Sequence, residues 1–136
     1  MALFPKDLEQ WQDAALIARW TVLAAVRDQV NLQLEEKRKD KTIAANLSAA
    51  AVVTASGAGG AVLADYRDFL PTLFGVSHVD LVEGPPAAEG VTVSVERATG
   101  TKCERCWRYV PEVSQDADRA GLCPRCVEAL AEPVSL

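Results

Sequence analysis

The four cysteines of this chain fall into two close pairs, Cys103 with Cys106 and Cys123 with Cys126. Residues 107–122 separate the pairs, and this spacing is typical of a zinc site with four cysteine ligands. Each C-x-x-C turn directs two thiolates at one metal, and two such turns complete a tetrahedron of sulfur atoms. We therefore predict one zinc ion bound by all four cysteines. Because a closed sulfur shell leaves no position for water or substrate, the expected role of the metal is structural.

Two other uses of these cysteines agree less well with the sequence. Disulfide frameworks belong to small secreted proteins, whereas no signal peptide is recognised here and the cysteines are confined to the C-terminal part of the chain. A redox-active C-x-x-C pair is expected within a βαβ pattern, and two such pairs would be needed. Cysteine usage therefore favours zinc in a reducing cytoplasm.

The composition indicates a globular protein rather than a generic nucleic-acid binder. Of the 136 residues, 49% are hydrophobic and 24% are charged, and the formal net charge is −5. A charge-driven nucleic-acid binder is expected to be strongly basic. No apolar run approaches the length of a membrane span, so no membrane partner is expected. Any contact with nucleic acid must come from a local basic patch.

Two local basic groups are present, and each has a simpler explanation. The group around the cysteines can offset the formal charge of −2 that four thiolates and one Zn²⁺ carry together. The other group can be a solvated helix face beside Glu35 and Glu36. The two groups are Lys102, Arg105, Arg108, Arg119 and Arg125, and Lys37, Arg38, Lys39 and Lys41.

A long helix is predicted over residues 8–41, because neither Pro nor Gly interrupts this stretch. Its large side chains recur at steps of three and four residues, which is typical of a helix face turned to the core. Arg27 is the unusual member of this face. The predicted face consists of Leu16, Trp20, Leu23, Arg27, Val30 and Leu34, widened by Trp11, Ile17 and Ala24.

The remaining elements predict a small α+β layer. Three apolar runs are typical of strands, the last with the polar alternation of a half-exposed strand. We predict strands at 47–54, 76–82 and 91–95, a turn at 56–60, a short helix at 61–69, a break that Pro71 begins and Gly75 closes, and a loop at 84–90. The predicted fold class is α+β: a long N-terminal helix packed with a three-stranded sheet and a short helix, followed by a four-cysteine zinc ribbon or knuckle. The predicted domains are residues 1–100 and 101–136.

Catalytic constellations are not found in the sequence. The one histidine, His78, lies in a predicted strand, where a structural role is the more common one. Residues 56–60 lack the lysine and the frame of a phosphate-binding loop. We predict no catalytic residues and expect the chain not to be a complete enzyme.

Two sequence motifs around the cysteines resemble the C-terminal zinc module of bacterial-type isoleucyl-tRNA synthetases. They are K-C-E-R-C-W at 102–107 and L-C-P-R-C-V-E-A-L at 122–130. The helix supports the resemblance, which extends over residues 4–130. Its matching residues are Trp20, Arg27, Val30, Leu34, Glu35, Arg38, Lys41, Ile43 and Leu47. Where the family commonly has glycine and serine, Ala44, Ala45 and Asn46 stand here, and the family's H-I-G-H and K-M-S-K-S signatures are absent.

The resemblance implies the C-terminal, zinc-containing region of a synthetase, which helps to hold the anticodon end of the isoleucine tRNA. Attachment of isoleucine with ATP would then occur in the remainder of the synthetase. The implied partners of the chain are therefore the isoleucine tRNA and the rest of the synthetase, and the chain is expected to be monomeric. The candidate tRNA contacts are Arg105, Arg108, Arg125 and Trp107, with Arg38 and Lys41 as a second group. Arginines on rigid metal turns suit phosphates. Trp107 could stack on an unpaired base or pack in the core of the module. We expect it to pack in the core.

Two other functions stay open at this point. Formamidopyrimidine-type DNA glycosylases end in a related zinc module, but they require a proline after the initiator Met, where Ala2 stands. Their usual glutamine after the last cysteine is replaced by Val127. A zinc domain that binds only protein is compatible with the acidic net charge.

Overall fold

The long N-terminal helix begins later than the sequence predicts. A computed structural model describes residues 8–85 and 90–131 of the chain. Leu8–Trp11 forms a short 3-10 turn, and helix α1 spans Ala14–Lys39. The delayed start has a local cause, because extended Asp13 caps the helix by accepting a hydrogen bond of 2.9 Å from the Leu16 N–H.

The core face of α1 is shorter than the predicted stripe. Leu23, Val26, Val30 and Leu34 are buried, whereas Arg27 is exposed, so its predicted place in the core is wrong. Steps of three and four residues put Val26 inward and leave Arg27 at the margin of that face, in contact with solvent. The predicted core members at the N-terminal end are also wrong. Trp11, Leu16, Ile17, Trp20 and Ala24 all lie exposed.

The three predicted strands form one mixed sheet, and the predicted fold class is confirmed. β1 (Ala49–Ala55) lies between β2 (His78–Glu83) and β3 (Val91–Arg97). β1 runs parallel to β2, with Ala50 opposite His78, and antiparallel to β3, with Val53 opposite Val93. β1 is central and almost wholly buried, and its small apolar residues let neighbouring elements pack closely against the sheet. Helix α1 packs against β3.

The parallel pair of strands requires a crossover, and helices supply it. α2 (Gly57–Asp65) starts inside the predicted turn at 56–60, and a 3-10 turn (Arg67–Phe69) leads into α3 (Leu70–Phe74). The predicted break at Pro71 is wrong. Pro71 sits in the first turn of α3, where the N–H that proline lacks has no helical partner in any case. Helix α3 occupies the predicted break, and Gly75 ends it with φ 69°, a left-handed conformation that suits glycine.

The cysteine-bearing part has its own small core. It consists of β4 (Thr101–Lys102), β5 (Tyr109–Val110) and α4 (Pro124–Ala131). The buried cysteines pack with Val110 and Leu122, separately from the larger core between α1 and the sheet. The boundary between residues 100 and 101 stays a prediction. Within the described ranges, none of the helices combines the length and apolar character needed to cross a membrane.

Candidate metal centre and nucleic-acid surface

The first cysteine pair lies in the tight turn between β4 and β5. The Cys103 N–H donates to the carbonyl of Arg108 at 2.8 Å, and the Trp107 N–H donates to the carbonyl of Cys103 at 2.9 Å. Trp107 closes the turn in the left-handed region, with φ 65°. These bonds fix the direction of both thiols. A left-handed conformation is costly for a bulky side chain, so the rest of the turn must enforce it.

The second cysteine pair lies at the start of α4. Pro124 opens that helix, and the N–H of Cys126 donates to the carbonyl of Cys123 at 2.9 Å. The Cys123 N–H donates to the sulfur of Cys103 at 3.2 Å, which links the two turns directly. Each sulfur is therefore positioned by backbone geometry and not by a long side chain.

Two glycines lie at close approaches of the chain in this module, one between the two cysteine turns and one across the β4–β5 hairpin. Gly121 has φ 75°, and a Cβ there would lie 2.8 Å from the Glu104 side chain. Gly100 has φ 100°, and a Cβ there would collide with the carbonyl oxygen of Val110. The positive φ favours glycine at both positions, and at Gly100 the backbone of Val110 also leaves no space for a side chain, whereas at Gly121 the flexible Glu104 side chain can move aside.

The four sulfur atoms have the spacing of a zinc site. They all lie within 4.8 Å of one another, and the sulfurs of Cys106 and Cys123 are 3.7 Å apart. A tetrahedron with Zn–S distances of about 2.3 Å has sulfur–sulfur edges of about 3.8 Å. Cys103, Cys123 and Cys126 are buried and Cys106 is partly buried. The cluster thus fits one structural zinc ion, as the cysteine spacing predicts.

The proton equilibria of the cysteines also favour a cation between them. Burial and the neighbouring thiols raise the pKa of Cys123 to about 12, and burial raises the pKa of Cys106. Burial acts in the same direction on Cys103, but hydrogen bonds from backbone N–H groups outweigh it and lower the pKa of that thiol to about 6. Four thiolates cannot coexist at this spacing without a positive charge, and Zn²⁺ supplies it.

The candidate tRNA-contacting residues of the zinc module are partly brought together. Arg105 and Arg125 are exposed, and Arg105 also reaches the sulfur of Cys126 with its Nη1 at 3.6 Å. Arg108 is half-buried and donates a hydrogen bond of 3.0 Å to the Thr72 hydroxyl. Arg108 therefore joins the zinc module to α3. Sequence reasoning gave no signal for this contact.

The indole of Trp107 lies at the surface. Its side chain is 60% exposed, so the expectation that it packs in the core is wrong. The physical reason is the left-handed turn, which turns the side chain away from the cysteine core. The ammonium group of Lys102 lies 5.2 Å from the ring centroid, within the range of a cation–π contact.

Arg38 and Lys41 form a separate site at the C-terminal end of α1. Arg38 makes an ion pair with Glu35, and exposed Lys41 follows the helix with φ 62°. Among residues 8–85 and 90–131, no hydrogen bond or ion pair connects either of them to the zinc module. Within the described residues, hydrogen bonds and ion pairs therefore do not join the two predicted groups of RNA contacts.

Comparison with known proteins matches both parts of the fold. Residues 100–129 match the family described as "Zinc finger found in FPG and IleRS". The isoleucine–tRNA ligase of Geobacter sulfurreducens is 42% identical over 96% of the chain. The corresponding ligase of Gloeobacter violaceus is 41% identical over 94%, and that of Thermotoga maritima is 38% identical over 93%. The resemblance to the isoleucyl-tRNA synthetases is thereby confirmed.

The extent of these matches separates two possible relationships. The description of the zinc-finger family names two kinds of protein, so the cysteine module alone does not distinguish them. The matches to isoleucine–tRNA ligases include α1 and the sheet as well as the module. However, the chain spans only 14–15% of the length of these relatives.

Proposed function

We propose that this chain is the zinc-bearing, tRNA-contacting segment of an isoleucyl-tRNA synthetase. In this proposal it holds the anticodon end of the isoleucine tRNA, while the remainder of the synthetase attaches isoleucine with ATP in the cytoplasm. The relatives' printed activity supports the enzyme class, and the extent of the match supports a segment without the catalytic site.

The observation that carries the proposal is the exposed indole of Trp107 on a rigid metal turn. Placing a large aromatic residue in a left-handed conformation costs on the order of 1–3 kcal/mol of stability. Stability alone gives little reason to keep tryptophan rather than glycine at this position. Exposure rather than packing makes the ring available to an unpaired base. Anticodon loops present such bases, and aromatic stacking is the usual means of holding them.

The arginines of the module then divide into two roles. Arg105 and Arg125 are exposed beside the cysteines, and we assign them to phosphates of the tRNA. Arg108 was predicted to share that role, but its guanidinium is engaged with Thr72. We now assign Arg108 to holding the module against α3, which would orient Arg105 and Trp107 relative to the sheet. Arg38 and Lys41 stay the second, separate group of candidate contacts.

We also propose that Cys103, Cys106, Cys123 and Cys126 together ligate the zinc. The ion would lock both turns and so restrict the directions of Trp107 and the two exposed arginines. Preorganisation of this kind lowers the ordering cost of binding. Arg105, whose Nη1 lies near the Cys126 sulfur, would in addition offset part of the negative charge of the thiolate shell.

The decisive experiment is a tRNA titration of the chain and of two variants at the same position. Trp107→Ala removes the ring and keeps the strained backbone, whereas Trp107→Gly removes the ring and relieves the strain. If the ring stacks on a base, both variants should lose about 1–3 kcal/mol of tRNA affinity, although the glycine variant is the more stable one.

Zinc content, measured on the same samples, is the control and should not change. Wild-type affinity in both variants would exclude Trp107 as an RNA contact. The isoleucine tRNA should bind more tightly than other tRNAs and duplex DNA. Equal binding of duplex DNA would favour the glycosylase-like alternative, and no binding of any nucleic acid would favour a protein-interaction module.

A further inference from the structure

The N-terminal end of the fold carries an apolar surface that the core does not use. We define the N-terminal apolar face as the exposed large side chains Leu8, Trp11, Leu16, Ile17, Trp20 and Phe69. Trp11 is 78% exposed, Ile17 56% and Trp20 40%. Further along the same helix, Leu23 and Leu34 are fully buried. The apolar residues of α1 thus extend toward its N-terminus beyond the part of the helix that is buried against the sheet.

Ring contacts and helical spacing connect four members of this face, Leu16, Ile17, Trp20 and Phe69, whereas Leu8 and Trp11 lie in the 3-10 turn just before α1. The ring of Trp20 meets the ring of Phe69 edge to face, with centroids 6.2 Å apart, and meets Tyr66 at 6.3 Å. Leu16 and Ile17 precede Trp20 by four and three residues and are therefore its neighbours on the helix surface. The patch spans α1 and the crossover between β1 and β2, so it is part of the folded layer.

We infer that the N-terminal apolar face is covered by an apolar surface of the remaining synthetase polypeptide. The matched relatives are isoleucine–tRNA ligases of which this chain spans only 14–15%, so most of such a polypeptide lies outside it. None of the six side chains carries a charge. Leucine and isoleucine offer a phosphate or a base nothing to bind, which argues against tRNA as the occupant.

The size of the face argues against a second copy of the chain. Six partly exposed side chains of these types offer on the order of 500 Å². A stable interface between separate proteins buries about 800 Å² on each partner. Contacts between parts of one polypeptide need less, roughly 300–750 Å² on each side, because the covalent link keeps the partners together.

The experiment compares hydroxyl-radical footprints of the segment in two forms, without tRNA. One form is the 136-residue chain, and the other is the intact synthetase polypeptide that carries it. Oxidation of Trp11, Ile17 and Trp20 should be about fivefold or more slower in the intact polypeptide, as for side chains that become buried in an interface core. Equal oxidation rates in both forms would overturn the inference.

Two matched variants test the face itself. Ile17→Gln removes an apolar member, and Leu32→Gln changes a residue that is also exposed on α1 but lies about 22 Å further along the helix. In the intact polypeptide, only Ile17→Gln should raise the oxidation of Trp11 and Trp20 toward the rates of the isolated chain. Both variants should leave the circular dichroism of the isolated chain unchanged.

Sedimentation of the isolated chain completes the test. Self-association that protects the same three residues would assign the face to a second copy and so contradict the inference. The inference rests on the synthetase resemblance and not on tRNA binding by Trp107. Because no tRNA is present, failure of the proposed tRNA contact leaves these footprints unchanged, and failure of the footprints leaves that contact untouched.

Discussion

At the scale of single residues, the zinc site depends on sulfur positions that the backbone sets. The N–H of Cys123 donates to the sulfur of Cys103, and hydrogen bonds from backbone N–H groups lower the pKa of Cys103 to about 6. The pKa of Cys123 is shifted in the opposite direction, to about 12, because burial and the neighbouring thiols disfavour its thiolate. A divalent cation removes this conflict, so metal binding and local folding are one event.

Replacing one ligand should therefore separate the two parts of the molecule. Cys123→Ser should lose zinc and unfold the module after about residue 101, because structural zinc contributes on the order of 10–16 kcal/mol to small modules at neutral pH. The layer of α1 and the sheet has its own core and should stay folded. Metal analysis and amide hydrogen exchange measure both effects. A variant that keeps a full equivalent of zinc would contradict the four-thiolate assignment.

At the scale of elements, the attachment of the zinc module to the α+β layer rests on few polar contacts. The Ser77 hydroxyl, just before β2, accepts a hydrogen bond of 2.7 Å from the Tyr109 N–H of β5. The same hydroxyl donates to the carbonyl of Leu47. Arg108 and Thr72 add a second bridge. One side chain thus joins the start of the sheet to the metal hairpin.

Ser77→Ala should loosen this joint without disturbing zinc. The substitution leaves the Tyr109 N–H and the Leu47 carbonyl without this partner, at a cost of about 1–3 kcal/mol. Exchange of the Tyr109 amide should become faster while zinc content stays at one equivalent. Ser94→Ala, on an exposed position of β3, is the matched control and should change neither quantity. Unchanged exchange at Tyr109 in Ser77→Ala would show that other contacts hold the module.

The two ends of α1 should respond differently to truncation of a leucine. Leu34 is fully buried under the sheet, so Leu34→Ala should cost about 2–5 kcal/mol of unfolding free energy in the isolated chain. Leu16 is exposed there, so Leu16→Ala should cost less than about 1 kcal/mol. Urea unfolding of both variants measures the difference. Equal losses would mean that the first turns of α1, before Leu23, also pack in the core of the isolated chain.

At the scale of the whole molecule, a net charge of −5 opposes the approach of nucleic acid. Binding must then come from a few exposed cations, those of the zinc module with Arg38 and Lys41 as the second group, and it should be weak and sensitive to salt. Each phosphate contact to a single strand contributes about −0.7 to the slope of log affinity against log salt concentration. Affinity should therefore fall steeply with salt, and the total slope measures how many of these cations contact a phosphate.

Removal of one arginine should change that slope by a countable amount. Arg125→Ala should lower tRNA affinity and make the slope less steep by about 0.7–0.9, because one phosphate contact is lost. Arg27→Ala, on the exposed margin of α1, is the control and should leave the slope unchanged. Binding isotherms at several salt concentrations give both values. A slope that Arg125→Ala does not alter would remove this residue from the tRNA contacts.

By itself, the sequence determined the features that depend on local spacing. The two C-x-x-C pairs fixed the metal centre, because backbone turns and not distant contacts aim their thiols. Three apolar runs, the last alternating with polar residues, predicted the three strands to within two residues at each end. The sequence motifs around the cysteines and along α1 were specific enough to indicate the synthetase family.

Only the tertiary structure decided which apolar residues are buried. A helical repeat shows the direction in which a face points, but not how far the sheet extends beneath it, so Leu16, Trp20 and Arg27 were wrongly assigned to the core. Trp107 was expected to be buried because so small a module has few other core residues, but a left-handed turn exposes it. Ser77 carried no signal at all, because its role arises from Leu47 and Tyr109, which are 30 and 32 residues away along the chain.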